Sequence, residues 1–567
     1  MALGLLLSGC GRSEPSADLV IANGGEAGSL DPATATTIED LRVCMALFEG
    51  LMRVDPVTAQ PVPGLAERFE KSPDGRTYLF FLRTNAVWST GGRITAHDFV
   101  WSWLRVLDPA TASEYAGQLF YIKGAEAYFT NKVRNPSQVG VRALDDLTLR
   151  VELVNPTAFF LDLCAFQTLY VVPRAAIEKH GDRWMRVRPL AVSGPYQLDQ
   201  WRLNDRVRLR RNPRYWDAVN THCEVVDLLP LRNASTAFNL YERGAVDIIW
   251  DKELIPSELY PFLRTNEAHR VNFHSFNYLG AYFLRFNTTR PPLDDPRIRK
   301  ALAMCIDKQR LIDKILKTGE LIAQGLVPPY TTNHLPVTGL PYDPAAARKL
   351  LDEAGHPGGR GLRRIEYSVE SAGPSSPHAK IGVELQEMWR THLGVEVELR
   401  QTEKQVHTKN QKSLDYDVSR STWIGDYNDP NTFLDLFRGN NGNNRTGWKN
   451  ARYDELMDQA AAQPDHARRT ELLREAETLL VRDEAPIVPV YFFSGFNYYN
   501  SANVSGIWGN VLDIHPINAI QKKKSVVRRL SFVATAQAHP TPPTNHEPRT
   551  TNNGLRNTEH GTRSTLP

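Results

Sequence analysis

The chain has 567 residues, with 67 Lys plus Arg against 64 Asp plus Glu and a formal net charge of +3. That near balance excludes the dense basic stripe of a nucleic-acid binder, and no apolar run reaches the roughly 18 residues that a membrane-spanning helix needs. Hydrophobic content of 41% and charged content of 23% are ordinary globular values, which excludes wholesale disorder, collagen and a small disulfide scaffold. The length suggests roughly three to four domains. Of the five cysteines, Cys44, Cys164, Cys223 and Cys305 read as small buried hydrophobes, because none stands at zinc-ligand spacing.

In chain order, the first feature is Leu5-Leu6-Leu7-Ser8-Gly9-Cys10, an apolar run closed by small residues, as at the end of a secretory signal. Its last four residues resemble the lipobox of bacterial lipoproteins, which makes Cys10 the expected lipidation site and residues 11–17 a tether. Thr77 to Arg83 is rich in residues that suit a strand. Thr95-Ala96-His97-Asp98 has the form of a capping box opening an aromatic helix, Phe99 to Leu107. Asp295-Pro296 opens a helix whose apolar positions keep a helical period until Gly319. Asp343-Pro344 repeats that start, and Gly355 marks the stop. A helix from about His378 to Leu393 ends at Gly394, and Val395 to Leu399 then alternates as a strand. Arg468 to Val481 reads as helix and Ile487 to Phe493 as a buried strand. Alternating helices and strands give an α/β or mixed class. Residues 521–567 hold eight Lys plus Arg against two Asp plus Glu and no apolar period, and read as a disordered tail.

The chain contains no H-E-x-x-H, G-x-S-x-G, P-loop or G-x-G-x-x-G motif. Lys317-Thr318-Gly319 matches a β-lactamase triplet, but no Ser-x-x-Lys accompanies it. Many aromatic and carboxylate positions without an activated nucleophile suit a binder better than an enzyme. No cofactor, metal or nucleic acid is expected.

Five segments carry a resemblance. They are Ser29-Leu30-Asp31-Pro32, Leu47-Phe48-Glu49-Gly50-Leu51, Trp88-Ser89 with Thr95 to Trp103, Pro291 to Leu302, and Trp423-Ile424-Gly425-Asp426-Tyr427-Asn428-Asp429-Pro430. In this order they resemble the extracellular oligopeptide-binding proteins of ABC importers, solute-binding family 5, across about residues 18–520. The resemblance implies a two-lobed periplasmic-binding-protein-like α/β fold (type II, cluster C) with an extra third domain. Lobe I would take about 18–49, 174–278 and 494–520, the accessory domain 50–173, and lobe II 279–493. Two chain crossings would form the hinge. The implied function is the substrate-binding subunit of an importer, a lipid-anchored monomer that delivers oligopeptides to membrane permease subunits. The same fold serves other cargo (murein peptide, nickel chelate, haem, oligosaccharide) and peptide sensing.

The resemblance also implies a site. Asp426 stands where the family salt-bridges the peptide α-ammonium; on a generic reading, Asp426 and Asp429 cap the turn before Pro430. The peptide backbone would pair with extended segments near Ala33 to Thr37 and Arg420 to Trp423. Trp423 and Tyr115 match cleft positions. Arg420, His378 and Lys314 match basic positions for the far carboxylate, with Arg420 able to clasp it bidentately. Thr36 replaces a cleft glutamate, Gln411 a basic residue, and Arg285 an acidic one. That exchange of charge predicts a preference for neutral or acidic peptides over Lys- or Arg-rich ones.

Overall fold

The computed structural model describes residues 15–371 and 377–523, with Lys252 and Ser257 described for their backbone alone. Cys10 and residues 524–567 of the expected tail lie outside the described residues.

An 11-stranded sheet organises the chain. Its strands are β1 (Leu19–Ala22), β2 (Tyr196–Arg202), β3 (Arg206–Arg211), β4 (Val225–Leu229), β5 (Ile248–Ile249), β6 (Phe273–Phe286), β7 (Leu321–Ile322), β8 (Ile365–Glu370), β9 (Val397–Thr402), β10 (Val418–Ile424) and β11 (Ile487–Tyr499). The order is β9-β8-β10-β6-β11-β5-β1-β4-β3-β2, with β7 paired to β11. Strands β8 to β10 thus stand on one side of the long antiparallel pair β6–β11, and β1 to β5 on the other.

The register of that pair shifts between Asn277 and Ala281, opposite Ser494 and Phe492. Two local features fix the shift. Gly280 faces Phe493, and a Cβ there would lie 2.7 Å from the ring; a Cβ on Gly495 would lie 2.1 Å from the Phe276 ring. The ring occupies the space a side chain would need, so Gly495→Ala forces the two strands apart. We expect it to lower stability by about 1–3 kcal/mol, read as a lower midpoint in urea unfolding.

Side chains of β6 alternate between two cores, as strand geometry requires. Tyr282, Leu284 and Phe286 meet Tyr367 and Trp389. Leu279, Ala281 and Phe283 meet Phe433, Phe437 and Tyr453. A third core gathers residues between Leu51 and Val171 together with Ala33 and Tyr427, and there the helix Ala96–Val106 packs on a four-stranded sheet that includes Thr77–Leu82. The predicted capping box is present: the Thr95 N–H donates to Asp98 Oδ2 at 2.8 Å. Trp103 and Phe99 are fully buried there.

Two motif carboxylates act as joints. Asp31 accepts both terminal nitrogens of Arg105 at 3.0 and 2.5 Å, and the Trp184 indole N–H at 3.2 Å. Glu49, buried, accepts from Tyr215 Oη at 2.7 Å and Trp216 Nε1 at 2.6 Å. Each bond joins segments more than 70 residues apart in sequence, which explains why an acidic side chain stands inside each apolar motif.

Several expectations change. The helix opened by Asp295 is Pro296–Met304 only; Asp307 caps a new turn, with Oδ1 accepting the Arg310 N–H at 2.9 Å, and Ile312–Leu316 then widens to i→i+5 bonding. The helix after Asp465 spans His466–Thr478 and also ends in a wide turn, Leu479–Asp483. β11 runs six residues beyond Phe493. Ala33–Thr37 is not an extended segment: Ala35 N–H closes a turn on Asp31 O at 2.9 Å, and Thr37 caps the helix Ile38–Leu47. The tail begins later than 521, since Gln521–Lys522 pairs with Val504–Ser505 and Lys522 Nζ reaches Asp247 at 2.8 Å. The cysteines 44, 164, 223 and 305 are buried, as read.

Candidate functional site

β10 ends at Ile424, and Gly425 turns the chain by donating to Leu279 O at 2.7 Å. Asp426 follows on this turn. Its N–H donates to Thr432 Oγ1 at 3.1 Å, and its Oδ2 accepts from Gln118 Nε2 at 3.1 Å. Among the described residues no Lys, Arg or His nitrogen lies within 4.0 Å of it. Burial raises its carboxyl from the ordinary 3.8 to about 7, and the Gln118 hydrogen bond opposes the rise. Asp426 lines a cavity of about 10 Å³ with Asp162, Phe166, Gln167, Tyr427 and Leu512, room for about one water. Segments around Val54, Asp162 and Leu512 therefore converge on Asp426, a half-buried carboxyl whose only side-chain partner among the described residues is neutral.

Tyr115, half-buried, sets its ring 5.3 Å from Phe166 at 61°. Burial and the Asp426 charge push its phenol upward. Asp162, which sequence reasoning missed, is likewise raised to about 7, by burial first and the Asp429 charge second. Its one visible signal is a carboxylate within the apolar run Phe159 to Leu163.

Asp426 and Asp429 have divided roles. Asp429 makes a buried two-pronged pair with Arg469, at 2.8 and 2.7 Å, and its Oδ1 accepts the Asn431 N–H at 3.0 Å. Between the two, Tyr427 stacks on Phe159 at 4.3 Å and 8°. Asp429 thus shapes the turn, as the generic reading had it, while Asp426 is left with a neutral partner.

Beyond Val418 and Ser419, which pair with β8, the other edge of β10 carries no ladder partner among the described residues from Arg420 to Ile424. Trp423 is half-buried on this stretch, and its indole Nε1 has no hydrogen-bond partner among the described residues. Arg420 is engaged: Nη1 meets Glu370 at 2.9 Å, Nη2 meets His378 Nε2 at 2.9 Å, and the guanidinium lies 5.5 Å from the Tyr282 ring. An arginine nitrogen can only donate, so His378 Nε2 is the acceptor. A ligand carboxylate at Arg420 must therefore compete with Glu370, a neighbour that the sequence did not reveal.

The other expected positions are scattered. Lys314 is exposed on the wide turn rather than inside a regular helix. Thr36 is exposed, with its N–H 3.5 Å from Asp40 Oδ2. Arg285 is buried on β6, where it donates from Nε to Ser421 Oγ at 2.7 Å. Gln411 bridges to β10 through Ser419 Oγ at 2.9 Å and Arg420 O at 2.8 Å.

Residues 60–445 match the bacterial extracellular solute-binding proteins, family 5 Middle. The chain belongs to that family. Within it, the chain is 34% identical to the oligopeptide-binding protein OppA of Bacillus subtilis, over 84% of this chain and 88% of that one. Among solved structures, the murein tripeptide binding protein MppA of Escherichia coli superposes with a TM-score of 0.77 at 32% identity, covering 89% of this chain and 98% of that one. Haemophilus influenzae OppA in complex with RPPGFSPFR superposes with a TM-score of 0.75 at 29% identity, covering 89% and 98%. The fold is accordingly the mixed α/β, periplasmic-binding-protein-like one that the resemblance implied. Members of family 5 are solute-binding proteins. Among the described residues, no helix is long and apolar enough to cross a membrane.

Proposed function

We propose that this family 5 protein is the substrate-binding subunit of an ABC importer, capturing oligopeptides and delivering them to membrane permease subunits. The observation that carries the reading is Asp426, a carboxylate held at about 7 with no cation beside it. An α-ammonium is the group that would relieve its burial, because a buried charge is costly until paired. The edge of β10 from Ser421 to Ile424, beyond the Arg420 carbonyl that Gln411 occupies, offers backbone groups for strand addition, which is indifferent to side chains and gives broad sequence tolerance. Tyr115 and Trp423 wall the first positions. The far carboxylate falls to Arg420 and His378 after exchange with Glu370, or to Lys314 for a ligand of another length. Relatives named for peptide binding support this reading over other cargo.

The lobes follow the sheet. Lobe I comprises 18–49, 174–278 and 494–520, the accessory domain 50–173 and lobe II 279–493, with β6 and β11 as the two hinge crossings. A cavity with room for about one water must open to admit a peptide, so hinge motion precedes capture. Lipidation at Cys10 holds the protein at a membrane surface, on the periplasmic or outer side.

Native mass spectrometry of the purified protein tests the reading: a bound mass in the peptide range, displaced by added tri-alanine, is expected, and a chelate, haem or sugar mass would replace it. The pH dependence has a definite sign. Ligand-free, the folded carboxyl titrates at about 7 against 3.8 unfolded, so the folded state holds the extra proton. The contribution of this one carboxyl to the stability of the free protein therefore falls as pH rises from about 4 to about 7, and Asp426→Asn should remove that contribution. Binding an ammonium requires the ionised form, and the peptide α-amino group itself titrates near ~8. Tri-alanine affinity should peak near about pH 7.5 and fall about sixfold by about pH 6. In Asp426→Asn the acid limb should vanish.

A further inference from the structure

The described chain buries five arginines: Arg42, Arg208, Arg285, Arg299 and Arg469. Four have a carboxylate oxygen within 4.0 Å: Arg42 on Asp251, Arg208 on Asp227, Arg299 on Glu484 and Arg469 on Asp429. Arg285 is the exception. Its Nε donates to Ser421 Oγ at 2.7 Å and its Nη1 to Asn443 O at 2.7 Å, both neutral acceptors. The rest of the guanidinium lies against the Phe283 and Phe437 rings, 5.2 and 5.3 Å from their centres.

A second arginine shares this setting. Arg445 donates from Nη2 to Asn443 Oδ1 at 3.2 Å and from Nη1 to Gln411 Oε1 at 3.3 Å. Its Nε is buried with no hydrogen-bond partner among the described residues, although the residue as a whole is half-buried. Gln411 and Asn443 therefore tie the two guanidiniums into one cluster with Ser421. Burial, and the Arg445 charge, push Arg285 down to about 10, and burial pushes Arg445 down as well. Two cations in a poorly solvated place with only neutral acceptors are expensive.

The cluster sits on the Ser419–Ser421–Trp423 face of β10, the strand whose free edge the peptide is proposed to join. At ~3.3 Å per residue, Ser421 lies within ~17 Å of Asp426 along the chain. An extended peptide anchored at Asp426 brings its early side chains, or a short C-terminus, to this face.

We propose that Arg285 and Arg445 form a receptor for a carboxylate of the bound peptide, borne on an acidic side chain or at its C-terminus. This rests on the peptide-binding reading above. Guanidinium forks suit a carboxylate bidentately, and the free Arg445 Nε supplies a donor that no protein group uses.

Titration calorimetry on the full chain tests it with two comparisons. Ala-Glu-Ala and Ala-Ala-Glu are set against their Gln counterparts, and tri-alanine against its C-terminal amide. At least a tenfold preference for the carboxylate-bearing peptide is expected in one comparison, and which one identifies the source. Arg445→Gln, and independently Arg285→Met, should abolish that preference. If the neutral peptides bind as tightly as the acidic ones, or if the preference survives both substitutions, peptide binding stands and this inference fails. If none of these peptides binds, the peptide reading itself fails and takes the inference with it.

Discussion

Replacing Asp426 by Asn should weaken tri-alanine binding by about 3–5 kcal/mol, a loss of two to four orders of magnitude in Kd. The reason lies in what the substitution leaves behind. In the free protein Asp426 meets one amide, Gln118, at 3.1 Å, and burial holds its carboxyl at about 7. A bound α-ammonium converts that carboxyl to a paired carboxylate. With Asn the ammonium would still be desolvated but would face a neutral dipole, and a buried charge without its partner carries most of the cost. Because the free protein holds no cation there, the substitution should not weaken folding and should improve it at about pH 8. Affinity and stability would then move in opposite directions, which separates a ligand contact from a structural one. Calorimetry and urea unfolding on the same preparation check both signs.

Arg469→Ala should do the reverse, costing about 3–5 kcal/mol of folding stability. Arg469 and Asp429 are both buried and joined by two bonds at 2.8 and 2.7 Å. Removing the arginine strands Asp429 as an unpaired charge between Tyr427 and the helix that begins at Asn431. The nearby Phe159–Tyr427 stack, within which Arg469 also lies 5.9 Å from the Phe159 ring, loses its backing. The double change Arg469→Met with Asp429→Asn should recover much of the loss, since well-packed neutral groups often replace a buried pair at little cost. A denaturant midpoint for each variant measures this. An Arg469→Ala protein as stable as the parent would show that the pair contributes nothing.

Local signals in the sequence translated well where the chemistry is local. Thr95 and Asp98 cap their helix, and Asp343 with Pro344 opens another, because these bonds need only neighbours in sequence. The helix after Asp295 misled because Cys305, Ile312 and Ile315 keep the apolar period across a break that Asp307 makes by capping a fresh turn. The strand read as Ile487 to Phe493 continues to Tyr499, and at Gly495 the missing side chain leaves room for the Phe276 ring.

The site divides the same way. Asp426 was legible through its motif, and its position beside Tyr115 follows from the structure. Glu370 beside Arg420, Asp162 in the shared cavity and Arg445 beside Arg285 were not legible. Each is brought in by a strand, helix or loop tens of residues away, and nothing in its own neighbourhood marks it. The acidic Asp31 and Glu49 had been visible only as motif letters; their role is to bind Arg105, Tyr215 and Trp216.

Capture of an oligopeptide by its α-ammonium at Asp426 is tested most directly by titrating the protein with tri-alanine and with N-acetyl-tri-alanine. Acetylation removes the positive charge and changes little else. Saturable binding of the free tripeptide, and at least a hundredfold weaker binding of the acetylated one, is the predicted result. Equal affinity for the two, or binding of neither, would contradict it.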